Sequence, residues 1–356
     1  MNSWNQLLTA QGARLAEAYA PAPAMVRDFG RTLSATELAT GFAATISDLG
    51  LIALNGEESA SFLHSQLTND VEHLGLGEAR LAGYCSPKGR LMASFLMWRD
   101  AQTIYLQLPR EIQAAVQKRL SMFLLRSKTK LSDASELASH QVLLGLGGGM
   151  AEAVLQTWFD VLPAQPYSKL DHPLGTLIRV ADAFGAARYQ WLTSAETART
   201  VWPLLADKLN EGGNDAWHLA EIHAGVPQIA KGTQEQFVPQ MVNFELLGGV
   251  NFKKGCYPGQ EIVARSQYLG KLKRRTTLVS IPDPHAAAGA EVFATADPAQ
   301  PCGMIVNAAP NGHGGVDALV EMKLAAIEAA SVRLGSAEGV ALQFLDMPYV
   351  LDPLEL

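Results

Sequence analysis

The sequence predicts an α+β protein: two related N-terminal α+β units followed by a small C-terminal β-barrel. Three observations predict it. From Thr45 to Phe123 the chain runs strand, helix, hairpin, strand, helix, the order of a unit whose helices cover one face of an antiparallel sheet. A second such order opens at Gln141. After Arg275 short apolar runs alternate with turn residues and the long helical patterns stop. The expected organisation is 1–139, 140–230, a motif-bearing loop segment 231–274, and 275–356.

Element by element, Ser3 to Ala20 reads as a helix stopped by Pro21-Ala22-Pro23, because proline cannot continue a helix interior. Thr45–Leu54 reads as strands around a turn at Asp48, and Asn55-Gly56-Glu57-Glu58 turns the chain into a helix over Ala60–Gln66. Ala79–Cys85 and Arg90–Trp98 flank Ser86-Pro87-Lys88-Gly89, a four-residue turn that closes a hairpin. Ile104–Leu108 alternates as a strand, and Pro109–Phe123 is amphipathic. In the second unit Gln141–Leu146 leads through Gly147-Gly148-Gly149 to a helix over Met150–Phe159, then strands Leu174–Val180 and Ala187–Leu192 and a helix over Ala195–Leu209. Residues 231–270 are rich in Gly, Pro and Gln without periodicity, and loops of that length are usually functional. Short strands then fall at Thr276–Ile281, Gly289–Ala294, Gly303–Asn307, Asp317–Val320 and Ala341–Phe344.

Composition sets limits on function. Hydrophobic residues make up 48% and charged residues 18%, as in a packed globular chain. No run approaches the ~18–20 apolar residues that span a bilayer, and the N-terminus lacks a signal-peptide pattern, so the expected location is the cytoplasm. A net charge of −7 offers no general attraction for nucleic acid. Basic residues cluster at Lys118-Arg119, Arg126, Lys128 and Lys130, and at Lys271, Lys273, Arg274 and Arg275. Each cluster reads as a solvated face or as an anion site, and direct nucleic-acid binding requires the two to converge. Cys85, Cys256 and Cys302 form no Cys-x-x-Cys pair, which argues against disulfides and against a resident iron–sulfur cluster. His218 and His223, five apart, and the isolated His140 and His172 lack ligand companions, so no metal site is expected.

The richest stretch for chemistry runs from Asn251 to Arg265. Gly255, Pro258 and Gly259 predict a sharp turn, and Gln260–Arg265 the opening of a helix whose free amides face whatever docks there. Cys256 follows Lys253 and Lys254, and both influences favour its thiolate; the alternative is a small hydrophobe in a tight turn. Leu144–Gly149 looks like a dinucleotide loop but lacks the βαβ context, so it reads as a strand-to-helix connection. Asp70 reads as a turn cap or as a ligand-facing carboxylate.

Lys254-Gly255-Cys256-Tyr257-Pro258-Gly259-Gln260-Glu261 resembles the signature of the YgfZ family of folate-binding proteins. The segments Phe62–Val71, Tyr84–Arg90, Ala224–Pro227 and Phe237–Met241 are similar to the family too, and Arg265 followed by Gly270-Lys271 extends the match. The resemblance implies the aminomethyltransferase (T-protein) fold, three domains around a central hole that receives tetrahydrofolate or a derivative. It also implies a role in maintaining iron–sulfur enzymes, such as the radical methylthiotransferase that modifies tRNA. Carried onto this chain, Cys256 is the reactive thiol, with Lys254 holding an anion or lowering the thiol's pKa. Asp70, Glu221, His223, Tyr257, Gln260, Glu261 and Arg265 are the expected folate-site residues, Tyr257 by stacking on a pterin.

The departures separate relatives. The T-protein's strand after the hairpin turn carries acids, and here it reads Gly89-Arg90-Leu91-Met92-Ala93-Ser94, so aminomethyl transfer is not expected. His223 stands where a pterin-holding glutamate is often found, and Glu221 is the substitute if the segment's geometry turns it inward. The competing expectation is a folate-dependent one-carbon transferase or demethylase with altered acids.

Overall fold

The computed structural model describes residues 3–16, 25–124, 127–135, 137, 141–268 and 272–351. Among these, three antiparallel-dominated sheets form the frame. The first has five strands in the order Ala79–Cys85, Leu91–Arg99, Thr103–Pro109, Leu49–Asn55, Lys130–Asp133. Its helices Ser59–His64 and Arg110–Ser121 bury Phe62, Leu63, Ile112, Val116 and Leu120 against Phe95, Met97 and Leu106. Burying each such side chain stabilises by about 1.5–3 kcal/mol. Within the hairpin, Ala79 pairs with Trp98 and Cys85 with Leu91, so the turn falls where the Ser-Pro-Lys-Gly run places it.

The second sheet orders its strands Lys169–His172, Gly175–Ala183, Ala186–Thr193, Val142–Gly147, Phe42–Ile46 and Asn210–Gly212, the last pair parallel. The expected segment 1–139 therefore supplies strands to both sheets. Asp48 sits at the crossing: Ile46 ends in the second sheet and Leu49 begins in the first.

The third sheet runs Val332–Leu334, Glu291–Ala294, Gly303–Pro310, Val316–Lys323, Arg274–Ile281, Gln343–Leu345. It curls into a half-barrel, with the Leu334 amide donating to the Val340 carbonyl and the Leu342 amide to the Val332 carbonyl, so that the chain leading into Gln343–Leu345 runs beside the opposite edge. A central core is shared by all three: Ala53 and Trp98 from the first sheet, Phe42 and Ile178 from the second, Leu319 from the third, and Trp217 from the helix Asn214–His223.

Several local expectations need correction. The first helix ends at Ala10, not Ala20: Gly12 turns the chain at φ +95°, and Arg14–Ala16 pairs as a strand with Met25–Asp28, tied by Arg14 to the buried Asp28. Pro21-Ala22-Pro23, Arg126, His140, Gly270 and Lys271 lie outside the described residues. The helix expected over Met150–Phe159 spans only Ala151–Leu155, since Phe159 is drawn into an edge contact with Trp191, ring centroids 4.9 Å apart. Ala35–Thr40 is a short helix opened by a Ser34/Glu37 capping box that the reading missed. In the long loop segment, Gln260–Tyr268 is helical as expected and the remainder folds into turns and two short 3₁₀ stretches.

Candidate functional site

The sequence-predicted residues fall in two places. The first is a cavity of about 910 Å³ bounded by the helices Arg110–Ser121 and Asn214–His223 and by Asn307 and Ala308 of the third sheet. Its wall is built by the helix Asn214–His223, whose Trp217, Leu219, Ala220 and Ile222 are buried. Helical spacing then aligns His218 and Glu221 on the side that lines the cavity. The helix is set in phase by its first residue: Asn214 Oδ1 accepts from the Ser47 amide at 2.8 Å, and one turn later His218 Nε2 meets Asp48 Oδ2 at 2.5 Å. Burial opposes a charge on His218, but Asp48 outweighs it and raises the imidazole to about 9. Asp48 Oδ1 is buried without a partner.

Glu221 accepts from Arg188 Nη1 at 2.9 Å. That guanidinium is fully buried, lies 4.9 Å from the centre of the Trp217 ring, and donates from Nε to the Ala181 carbonyl. Glu221 is also on the wall of a separate recess of about 50 Å³, lined by Tyr167 and Gln190 as well. The Tyr167 hydroxyl, Gln190 Oε1 and Arg188 Nη2 are buried there or next to it with no hydrogen-bond partner. Buried polar atoms are nearly always satisfied, so such a group of orphans marks a place where a ligand or water completes the bonding. Arg110, paired with Asp133, and the exposed Lys118 also line the cavity.

His223 does not line this cavity. It points to the half-barrel, with Nε2 2.7 Å from Asp317 Oδ2 and its ring 4.8 Å from Phe184. The helix makes the choice: two residues from Glu221 is about 200° around the axis, so the two cannot share a face. Met92 and Ala93, at the positions where the T-protein carries acids, are buried in the core of the first sheet.

The second place is the loop Asn251–Gly259. Gly259, at φ +81°, is held against the hairpin turn, where a Cβ would fall 2.4 Å from the Ser86 carbonyl oxygen and 2.7 Å from Gly89 Cα. At Gly89, φ +71°, a Cβ would fall 2.9 Å from Ile262 Cβ. Two glycines thus allow the hairpin turn and the start of the helix Gln260–Tyr268 to touch. Lys254 Nζ donates to the carbonyls of His64 at 2.6 Å, Leu67 at 3.0 Å and Gly255 at 3.2 Å. All three of its protons are used, so Lys254 clamps the loop and holds no anion in this arrangement. Burial lowers its pKa to about 8, against the pull of Asp70, Cys256 and Glu72. The Tyr257 ring lies 4.8 Å beneath the ammonium, and burial raises its phenol. Tyr257 is thus a buried support, not an open stacking face.

Of the three cysteines Cys256 alone is exposed. Burial pushes the Cys85 thiol up to about 12 and raises Cys302 as well. Asp70 caps a turn by accepting from the His73 amide at 3.2 Å, and it also meets His73 Nδ1 at 2.8 Å and His64 Nδ1 at 3.1 Å. Burial works to raise its carboxyl, yet the His73 amide and side chain hold it below the usual range. Glu261 and Arg265 are exposed and Gln260 is half-buried at the helix start. The loop brings Cys256, Lys254, Tyr257 and Asp70 together and leaves Glu221 and His223 elsewhere. Among the described residues no group of three or more His, Cys, Asp or Glu side chains is placed to hold a metal ion.

In the second basic cluster the two arginines are held in ion pairs, Arg274 with Glu321 and the buried Arg275 with Glu245, while Lys273 is exposed. Lys128 pairs with Glu57 at 3.2 Å. No helix among the described residues is long and apolar enough to cross a membrane.

Sequence reading overlooked Asp48, His218, Tyr167 and Gln190 as site residues. A helical assignment for 214–223 would have put His218 beside Glu221; nothing local links them to Asp48.

No family model matches the chain. It is 30% identical over 236 residues to the tRNA-modifying protein YgfZ of Escherichia fergusonii, covering 66% of this chain and 71% of that one. It is 32% identical over 235 residues to the protein of the same name from Cronobacter sakazakii, covering 65% and 68%. The crystal structure of glycine cleavage system aminomethyltransferase T from Bartonella henselae matches with a TM-score of 0.75 over 97% of this chain and 96% of that one, at 17% identity. That likeness shows the fold: the aminomethyltransferase architecture expected from the sequence.

Proposed function

The chain belongs to the family of the tRNA-modifying protein YgfZ, and from that premise we propose that it binds tetrahydrofolate or a derivative and supports iron–sulfur enzymes on which tRNA methylthiolation depends. One observation carries the folate reading: a carboxylate, Glu221, lines both the cavity of about 910 Å³ and a recess that holds buried polar atoms without partners. Its volume suits a drug-sized ligand that is mostly apolar with a few fixed polar groups. Glu221 would accept from the N–H edge of a pterin, the Tyr167 hydroxyl and Gln190 Oε1 would complete the recess, and Lys118 would meet the carboxylates of a glutamate tail. Bound tetrahydrofolate supplies a carrier for one-carbon units. The residues of this chain supply shape, the Arg188-supported carboxylate and shelter from water.

Titration calorimetry with tetrahydrofolate tests this. Binding tighter than roughly millimolar, about 4 kcal/mol, is expected, and no detectable heat at that concentration refutes it. Complementation in a cell lacking its own homologue tests the iron–sulfur role. Cys256→Ser should fail to restore tRNA methylthiolation, whereas Cys85→Ser and Cys302→Ser should restore it.

A second reading, a folate-dependent one-carbon transferase or demethylase, is favoured by the His218–Asp48 pair on the cavity wall. An imidazole held protonated near neutral pH is a general acid in position for chemistry there. Turnover of tetrahydrofolate with an amine donor, abolished by His218→Gln, would select this reading; binding without turnover selects the first.

A further inference from the structure

We propose that His64, oriented by Asp70, is the proton acceptor for the Cys256 thiol, making the loop a thiol–imidazole–carboxylate relay at the protein surface. Asp70 Oδ1 lies 3.1 Å from His64 Nδ1, and the only competitor there, the Val71 amide, is at 3.4 Å. The nearer, charged carboxylate makes Nδ1 the protonated nitrogen, which leaves Nε2 bare as an acceptor. Nε2 faces the loop one residue before Cys256: a methyl placed on Gly255 would sit 3.6 Å from it. The apposition is clamped, because Lys254 Nζ bonds the carbonyls of His64 and Gly255 together. His64 is largely covered, its side chain 15% exposed, while Cys256 opens to solvent.

In the relay the Sγ–H bond breaks, its proton goes to Nε2, and the electron pair stays on sulfur as the nucleophile. Asp70 is a positioning residue that stabilises the resulting imidazolium. The charged groups facing the pair are Asp70 and His73 from the turn after Leu67, Glu72 beside them, and Lys254 from the loop. Cys256 does not line the cavity, so its electrophile arrives from solvent or on a partner's surface. This deepens the role given to Cys256 above and rests on it. The test reads the thiol alone, so its failure is separate from a failure of folate binding or of complementation.

The test is the rate of Cys256 alkylation by iodoacetamide in the full chain, followed from about pH 5 to 8, where imidazole titrates. The buried Cys85 and Cys302 give little background. Wild type should show an inflection in this range. His64→Gln should lose it and label at least about tenfold more slowly at neutral pH. Asp70→Asn should keep an inflection but displace it along the pH axis, a change that a merely structural role would not produce. Circular dichroism checks folding. Wild-type rates and profile in a folded His64→Gln overturn the proposal. If that variant fails to fold, an unmoved inflection in Asp70→Asn overturns it instead.

Discussion

His218 in the cavity and Lys254 in the loop are both cations drawn out of water, yet their pKa values move in opposite directions. His218 has a carboxylate at 2.5 Å and is raised to about 9. Lys254 has three main-chain carbonyls within 3.2 Å and is lowered to about 8. Hydrogen-bond count is therefore not the deciding quantity. A carbonyl satisfies a donor but brings only a partial charge, so desolvation wins at Lys254; a full counter-charge offsets it at His218. The cavity is built to hold charge, and the loop to hold shape around an exposed thiol.

The severest way to break the comparison is Arg188→Met. The guanidinium is fully buried on Glu221, and removing one partner of such a pair should cost about 3–5 kcal/mol in urea denaturation. A cost below about 1 kcal/mol would mean that the charge of Glu221 is balanced elsewhere.

The pH dependence of stability sharpens it next. His218 is raised, so its contribution is fully present below about pH 6.5 and is lost as pH rises through 9, on the order of 3 kcal/mol in all. Lys254 is lowered, so between about pH 8 and 10.5 the unfolded chain binds more protons, and stability should rise with pH. Chemical denaturation at stepped pH, with His218→Phe and Lys254→Met each flattening its own window, checks both signs. A smaller effect separates binding from folding. Glu221→Gln keeps the shape but loses the charge, and should weaken tetrahydrofolate about tenfold, or 1.4 kcal/mol, by calorimetry. Smallest of all is the stability change of Cys256→Ser, below about 1 kcal/mol because the side chain is exposed. A larger loss would make that thiol a packing residue.

Much of this protein is legible locally. The Ser86–Gly89 turn, the strands on either side of it, the helix after Pro109 and the one opening at Gln260 follow from turn residues and periodicity, which act over a few residues. The loop around Cys256 is legible for the same reason, since Gly255, Pro258 and Gly259 dictate its bend. The long first helix failed because its propensity competed with strand pairing to Met25–Asp28, a partner that no local pattern announces.

The sequence by itself determined the α+β class, the hairpin, the C-terminal strands and a cysteine beside a lysine in a tight turn. The tertiary structure alone decided that Phe42–Ile46 joins the second sheet, that Glu221 and not His223 reaches the cavity, and that Asp48 meets His218 across 170 residues. It also decided that Lys254 spends its protons on carbonyls and that the expected single site is two. The reason is physical: turns and helical phase are set by neighbours along the chain. Which side chains converge is set by how whole sheets pack, through contacts whose partners lie far apart in sequence.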